Sequence, residues 1–169
     1  MDVRFDTTVE VFSTCPPSST GDPATYLNRA VEVAKWSEEA GCKGILVYSD
    51  NSQLDAWSVS HAILQHTSRL APLVAVQPIY MHPYTVAKTL ASVATLWQRR
   101  LYLNMVAGGF KNDLTALNDT TPHDSRYDRL AEYTLIIRQL LESDRPVTFR
   151  GEFYQVENLR MTPPVWRDL

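Results

Sequence analysis

Between residues 70 and 141 apolar and polar positions come in blocks. LAPLVAV (70–76) is a continuous apolar run that stops at Gln77. From His82-Pro83 onward the apolar positions fall at helical spacing, through Val86, Leu90, Val93, Ala94 and Trp97. A second apolar run, 101–106, contains Asn104 and leads into Gly108-Gly109. This pattern predicts a strand, a helix and a second strand, with polar chemistry gathered at the strand ends. A strand apolar throughout, not alternating, predicts burial on both faces of a parallel sheet.

The same grammar extends in both directions. Residues 3–12 read as a first strand, and the Pro- and Ser-rich stretch 13–23 as a loop. Asp22-Pro23 predicts a helix start, because Asp can accept first-turn amides and Pro tolerates the first helical position. Leu27, Ala30, Val31 and Ala34 give that helix an apolar face, and Gly41 suits its left-handed cap. GILVY (44–48) predicts a second strand, and 55–69 a second helix with Ala56, Val59 and Ile63 on one side. Residues 108–125 read as a long polar loop. A fourth helix over about 126–142 carries Tyr127, Leu130, Ile137 and Leu141. VTFRGEFYQV (147–156) alternates around Arg150-Gly151-Glu152 and predicts a β-hairpin. Strands alternating with helices imply a parallel sheet with right-handed crossovers.

Composition narrows the function classes. The chain has 169 residues and a formal net charge of −3, so one domain over 1–169 is expected. No basic block points to nucleic acid, and no apolar run approaches a membrane span. The N-terminus has neither the basic nor the apolar region of a signal peptide, so a cytoplasmic location is expected. Cys15 and Cys42 form no CxxC pair and have no His at metal-ligand spacing, which predicts two reduced thiols and no metal site.

Six segments together resemble the luciferase-like, flavin-dependent monooxygenases, nearest their alkanesulfonate monooxygenase branch. They are DAW (55–57), VAVQP (74–78), HPYTVAKTLASV (82–93), LYLNMVAGG (101–109), DSRYDRLAEY (124–133) and RGEFYQVENLRMTPP (150–164). The resemblance implies an α/β chain forming the N-terminal half of a TIM (β/α)8 barrel. About four βα units would be present, with a β-hairpin insertion after the fourth helix. It implies reduced FMN, supplied by a flavin reductase, reacting with O2 at flavin C4a to give a peroxyflavin. That species would oxygenate a small organic substrate, such as a sulfonate. The deazaflavin F420 is the alternative cofactor.

Barrel enzymes carry their working groups where strands run into βα-loops. Here those places are residues 13–16, 48–53, 77–82 and 104–109. Asn104 is the foremost candidate, because an amide offers both donor and acceptor to the alternating edge of an isoalloxazine. The matching family Asn contacts the flavin. Val106 and Ala107 would let a planar ring lie close to the backbone, or are ordinary small core residues. Gly108-Gly109 permit close approach of an anion, or simply a tight turn. Tyr127 matches a family Tyr near the flavin phosphate and ring, at a helix start that favours anions. Gln77 could contact the flavin. His82 is a candidate general base, although before Pro at a helix start it also suits a cap. Arg126 and Arg129 could meet phosphate or sulfonate, or form a solvated helix face. Gln53 stands where some sulfonate enzymes carry a Cys.

Two departures from the family pattern matter. The turn before the fourth strand is shortened to LWQRR (96–100), and the family's phosphate loop after strand five would fall beyond Leu169. A four-stranded parallel sheet has open edges at its first and last strands, and such edges recruit other chains. Three situations are therefore expected. The chain is part of a longer monooxygenase, or a half-barrel subunit closed by a copy of itself or by a partner, or a flavin-binding protein without turnover.

Overall fold

A computed structural model describes residues 9–162. Four strands, β1 (Phe12–Thr14), β2 (Gly44–Val47), β3 (Ala71–Val76) and β4 (Tyr102–Met105), form one parallel sheet in chain order. Helices α1 (Tyr26–Glu39), α2 (Ala56–His66) and α3 (Pro83–Trp97) make the crossovers. After β4 come a short helix α4 (Lys111–Ala116) and the long α5 (His123–Glu142). Strands β5 (Val147–Arg150) and β6 (Gln155–Leu159) pair as an antiparallel hairpin.

The first strand lies later than its apolar pattern suggested. Only Phe12 of the expected 3–12 run is in β1, and residues 3–8 lie outside the described residues. Pairing sets this limit, since β2 offers partners to Phe12, Ser13 and Thr14 alone. The tail from 163 is likewise outside the described residues.

Helix starts follow the local chemistry. Asp22 accepts from the Ala24 amide at 3.0 Å and opens a single 3-10 turn that leads into α1. Asp55 caps α2 by accepting from Ser58 N–H and its hydroxyl, each at 2.8 Å. Gly41 takes the left-handed conformation, φ +83°, just after α1. In the shortened 96–100 turn Gln98 takes that conformation instead, and Arg99 donates to the carbonyls of Thr67 and Leu70 at 2.8 and 2.7 Å.

Register assigns the two faces of the sheet. Ile45, Val47, Val74 and Val76 point to the helices and are buried. Phe12, Gly44 and Ala71 share the opposite face; so do Thr14, Leu46, Leu73 and Tyr102 one layer higher, then Ala75 with Asn104. That face is curled inward. Phe12 and Tyr102 belong to the two outer strands, yet their rings meet edge to face with centroids 5.3 Å apart. Three inter-strand steps in a flat sheet would separate those backbones by about 14 Å. Gly44 makes room for the curl: a Cβ there would lie 2.7 Å from the Phe12 ring and 2.3 Å from the Ala71 carbonyl oxygen.

The helices keep apolar side chains without cover. Leu27 and Trp36 on α1, Leu96 on α3 and Leu135 on α5 are exposed, Leu96 by 74%. The packed face of α1 is instead Tyr26, Ala30, Ala34 and Ser37, so the stripe expected through Leu27 is turned by one position. On α5 the core face is Tyr133, Ile136, Ile137 and Leu140.

A carboxylate holds each of two turns. Glu38 accepts from the amides of Ser68, Arg69 and Leu70 before β3, at 2.5 to 3.1 Å. Glu132 on α5 accepts from Glu152, Phe153 and Tyr154 in the hairpin turn, at 2.7 to 3.1 Å. Gly151 leaves room for it, since a Cβ there would fall 2.3 Å from the Glu132 carboxylate and displace it.

Candidate active site at the strand ends

A parallel sheet brings all four strand C-termini to one edge, and β4 carries the most distinctive group there. Asn104 sits on the curled face, level with Ala75, and is half-buried. Among the described residues its amide has no hydrogen-bond partner. Val106 prolongs the strand by donating its N–H to Val76 O at 2.9 Å. Val106 and Ala107 are half-buried beside it, and Gly108 follows at φ +116°. An open amide above small residues is an arrangement that a flat heterocycle could occupy.

Gln77 closes β3 but is already engaged. It is 3% exposed, and its Nε2 donates to Ser49 O at 2.6 Å. Its role in the structure is to join the ends of β2 and β3. Gln53 makes a comparable joint between the first two loops. Its Oε1 accepts from Ser18 N–H and hydroxyl at 2.7 and 3.1 Å, and its Nε2 donates to Ser19 Oγ at 2.8 Å. Between those loops a crevice lined by Cys15, Pro16, Tyr48 and Gln53 has a volume of about 10 Å³, room for about one water.

His82 and Tyr127 lie at helix starts, apart from this cluster. His82 is the cap of α3, its Nδ1 accepting from Tyr84 N–H at 3.2 Å, and its ring meets Tyr154 of the hairpin edge to face. Tyr127 is 57% exposed on the first turns of α5, against His123. The strand ends thus bring together Asn104, Gln77, Val106 and Ala107, but not these two.

Both arginines of the α5 start turn inward, which corrects the expectation of a solvated face. Arg126 donates to Gly108 O at 3.1 Å and ties α5 to the β4 loop. Arg129 pairs with Asp119 at 2.6 Å, with both side chains nearly covered. Burial disfavours the Asp119 carboxylate, but hydrogen bonds from Arg129 and Thr121 outweigh it and hold the pKa down at about 2. The Cys15 thiol is buried against the Tyr26 hydroxyl at 3.7 Å, and burial pushes its pKa up, so it is a poor nucleophile.

One part of the site escaped the sequence pattern. The expected loop 108–125 contains α4, whose Asp113 accepts from Asn51 N–H at 3.0 Å and from the Tyr80 hydroxyl. Burial and the neighbouring Asp113 carboxylate both raise the Tyr80 pKa. Leu114 and Leu117 at helical spacing were the available signal.

Among the described residues no group of His, Cys, Asp and Glu could hold a metal ion, and no helix is long and apolar enough to cross a membrane.

Comparison with known proteins agrees with this architecture. Over 138 residues the chain is 41% identical to the 4-(gamma-L-glutamylamino)butanoyl-[BtrI acyl-carrier protein] monooxygenase BtrO of Niallia circulans, covering 82% of this chain and 40% of that protein. Long-chain alkane monooxygenase (LadA) superposes with a TM-score of 0.79 at 16% identity, over 95% of this chain and 50% of LadA. An F420-dependent secondary alcohol dehydrogenase superposes with a TM-score of 0.76 at 23% identity, over 96% of this chain and 51% of that one. The chain therefore spans about 40 to 51% of the length of these relatives. Residues 7–166 match the family model for luciferase-like monooxygenases, and the chain belongs to that family.

Proposed function

We propose that this chain is the N-terminal half, strands one to four, of a flavin-dependent monooxygenase barrel, and that its strand ends form one wall of the flavin site. The observation that carries the reading is Asn104: an amide without a hydrogen-bond partner among the described residues, on the open curled face, level with Ala75 and two residues before Val106. An amide that is not engaged by the protein keeps both its donor and its acceptor available to a ligand.

Reduced FMN, delivered by a flavin reductase, would supply the electrons that activate O2. FMN is preferred to F420 because oxygenation needs a flavin that reacts with O2, whereas a deazaflavin serves as a hydride carrier. Asn104 would orient the ring edge by donating and accepting, and the small side chains of Ala75 and Ala107 would let the ring lie flat. Gln77 would hold the wall in shape through Ser49, without touching the ring. Tyr127 would lie at the margin, where its exposed hydroxyl could reach a phosphate. His82 is occupied as a cap, so a direct proton-transfer role is not part of this reading.

For the substrate, the 41% identical relative acts on an acyl group attached to an acyl-carrier protein. That favours an acyl chain over a sulfonate here. Turnover would require the remaining four strands, supplied by the same polypeptide, a second copy or a partner chain. The exposed Leu27, Trp36, Leu96 and Leu135 are consistent with surfaces that such a half would cover.

The test is anaerobic titration with photoreduced FMN, followed by oxygen-electrode measurements with candidate acyl thioesters. Binding that is weakened in Asn104→Ala supports the reading. Absence of flavin binding, both in this chain and in any complex it forms, removes it.

A further inference from the structure

We infer that α4 is a hinged cover over the end of β4, latched shut by Asp113. Helix α4 has six residues and buries none of them. A helix that short has little stability of its own, and with no buried face it gains little from packing. Phe110 before it and Leu117 after it are 54% and 50% exposed. Its Leu114 lies beside Gly108, where an added Cβ would stand 3.2 Å from Leu114 Cδ2.

What holds α4 to the neighbouring βα-loops is polar and concentrated at one carboxylate, while its last turn is closed by Asp119 N–H donating to Leu114 O at 2.8 Å. Asp113 accepts from the Asn51 amide, in the loop after β2, and from the Tyr80 hydroxyl, in the loop after β3. One side chain therefore tethers the cover to two neighbouring βα-loops.

Both ends of the segment have backbone suited to a hinge. Gly108 is at φ +116°, Gly109 has nothing within 4 Å of where a Cβ would stand, and Asn118 is left-handed at φ +54°. When the tether releases, residues 109–118 swing on these two points and Leu114 leaves Gly108, in the loop that follows β4. Arg126 stays bonded to Gly108 O and marks the fixed side of the first hinge.

The experiment is amide hydrogen exchange by mass spectrometry on the flavin-free chain, comparing wild type with Asp113→Ala and Tyr80→Phe. Loss of both tethers in Asp113→Ala is expected to accelerate exchange in 109–118 by about tenfold or more. Tyr80→Phe, which keeps the Asn51 bond, is expected to give a smaller acceleration in the same residues. Exchange in β3 and α5 stays unchanged, and the melting temperature moves by no more than about 2 °C, because α4 buries nothing. Unchanged exchange in 109–118 in both variants overturns the latch. So does acceleration that spreads into β3 and α5 with a lowered melting temperature, since α4 would then be a structural brace.

Discussion

Phe12 and Tyr102 sit on the two outer strands of a four-stranded sheet, yet their rings meet at an interplanar angle of 86°. This contact measures how far the sheet has already curled. A double-mutant cycle with Phe12→Leu and Tyr102→Leu should give a coupling of about 0.5–1.5 kcal/mol in urea unfolding. Additive losses would mean the rings are neighbours without interaction.

Gly44 allows that contact, and its replacement should be expensive. The nearest atom to an added Cβ is the Ala71 carbonyl oxygen, part of the backbone and unable to rotate away. Gly44→Ala should destabilise the chain by about 2–3 kcal/mol. Gly109→Ala, with open space around it, serves as the contrasting variant and should cost under about 1 kcal/mol.

Two carboxylates should make stability fall in acid. For both Asp119 and Glu132 burial opposes ionisation, but hydrogen bonds outweigh it and lower the folded-state pKa. Such a group contributes fully above its unfolded pKa and loses that contribution as pH falls through the folded value. The Asp119 contribution is therefore present above about pH 5 and disappears as pH approaches about 2. Asp119→Asn should cost on the order of 3 kcal/mol at pH 7, because Arg129 is left nearly buried without its counter-charge. Its difference from wild type should shrink in acid, as read by chemical denaturation from pH 7 to pH 2.5.

Glu132 should hold the hairpin more than the sheet. Replacing it by Gln weakens three charge-assisted amide bonds, at a cost of about 1.5–3 kcal/mol. Exchange should quicken first at the amides of Glu152, Phe153 and Tyr154. Unchanged protection there would show that the hairpin is kept by β5–β6 pairing alone.

Asn104→Ala should weaken reduced-flavin binding by roughly three- to tenfold, the worth of one or two hydrogen bonds. Gln77→Ala should act indirectly, raising the flavin dissociation constant only as far as it loosens the joint to Ser49. Fluorescence quenching reads both affinities, and thermal melting distinguishes the two, since only Asn104→Ala should leave thermal stability unchanged.

Much of this architecture was legible in the chain because burial follows period. The unbroken run at 70–76 became a strand buried on both sides, and the stripe from Val86 to Trp97 became α3. The helix start at Asp22-Pro23 also followed from local chemistry, whereas the Asp55 cap of α2 emerged only in the structure. Features set by tertiary contact were less legible. Leu27 continues an apolar face on paper, but nothing among the described residues covers it. Arg126 and Arg129 look solvated in a charged helix start, and only the fold supplies Gly108 O and Asp119. α4 was hidden because six mostly polar residues give periodicity too little length. The strand-end position of Asn104 was legible, whereas the side-chain joints made by Gln53, Gln77 and Asp113 reach across loops 28 or more residues apart.

Strand order equal to chain order also bears on how the molecule assembles. Each strand pairs with the next one synthesised, about thirty residues later. Within these four strands the sheet can grow by successive addition as the chain leaves the ribosome. The meeting of Phe12 with Tyr102 is different, for it closes a loop of about ninety residues and cannot form until β4 has docked. A polypeptide stalled before Tyr102 therefore lacks the one ring contact that spans the sheet from β1 to β4 among the described residues.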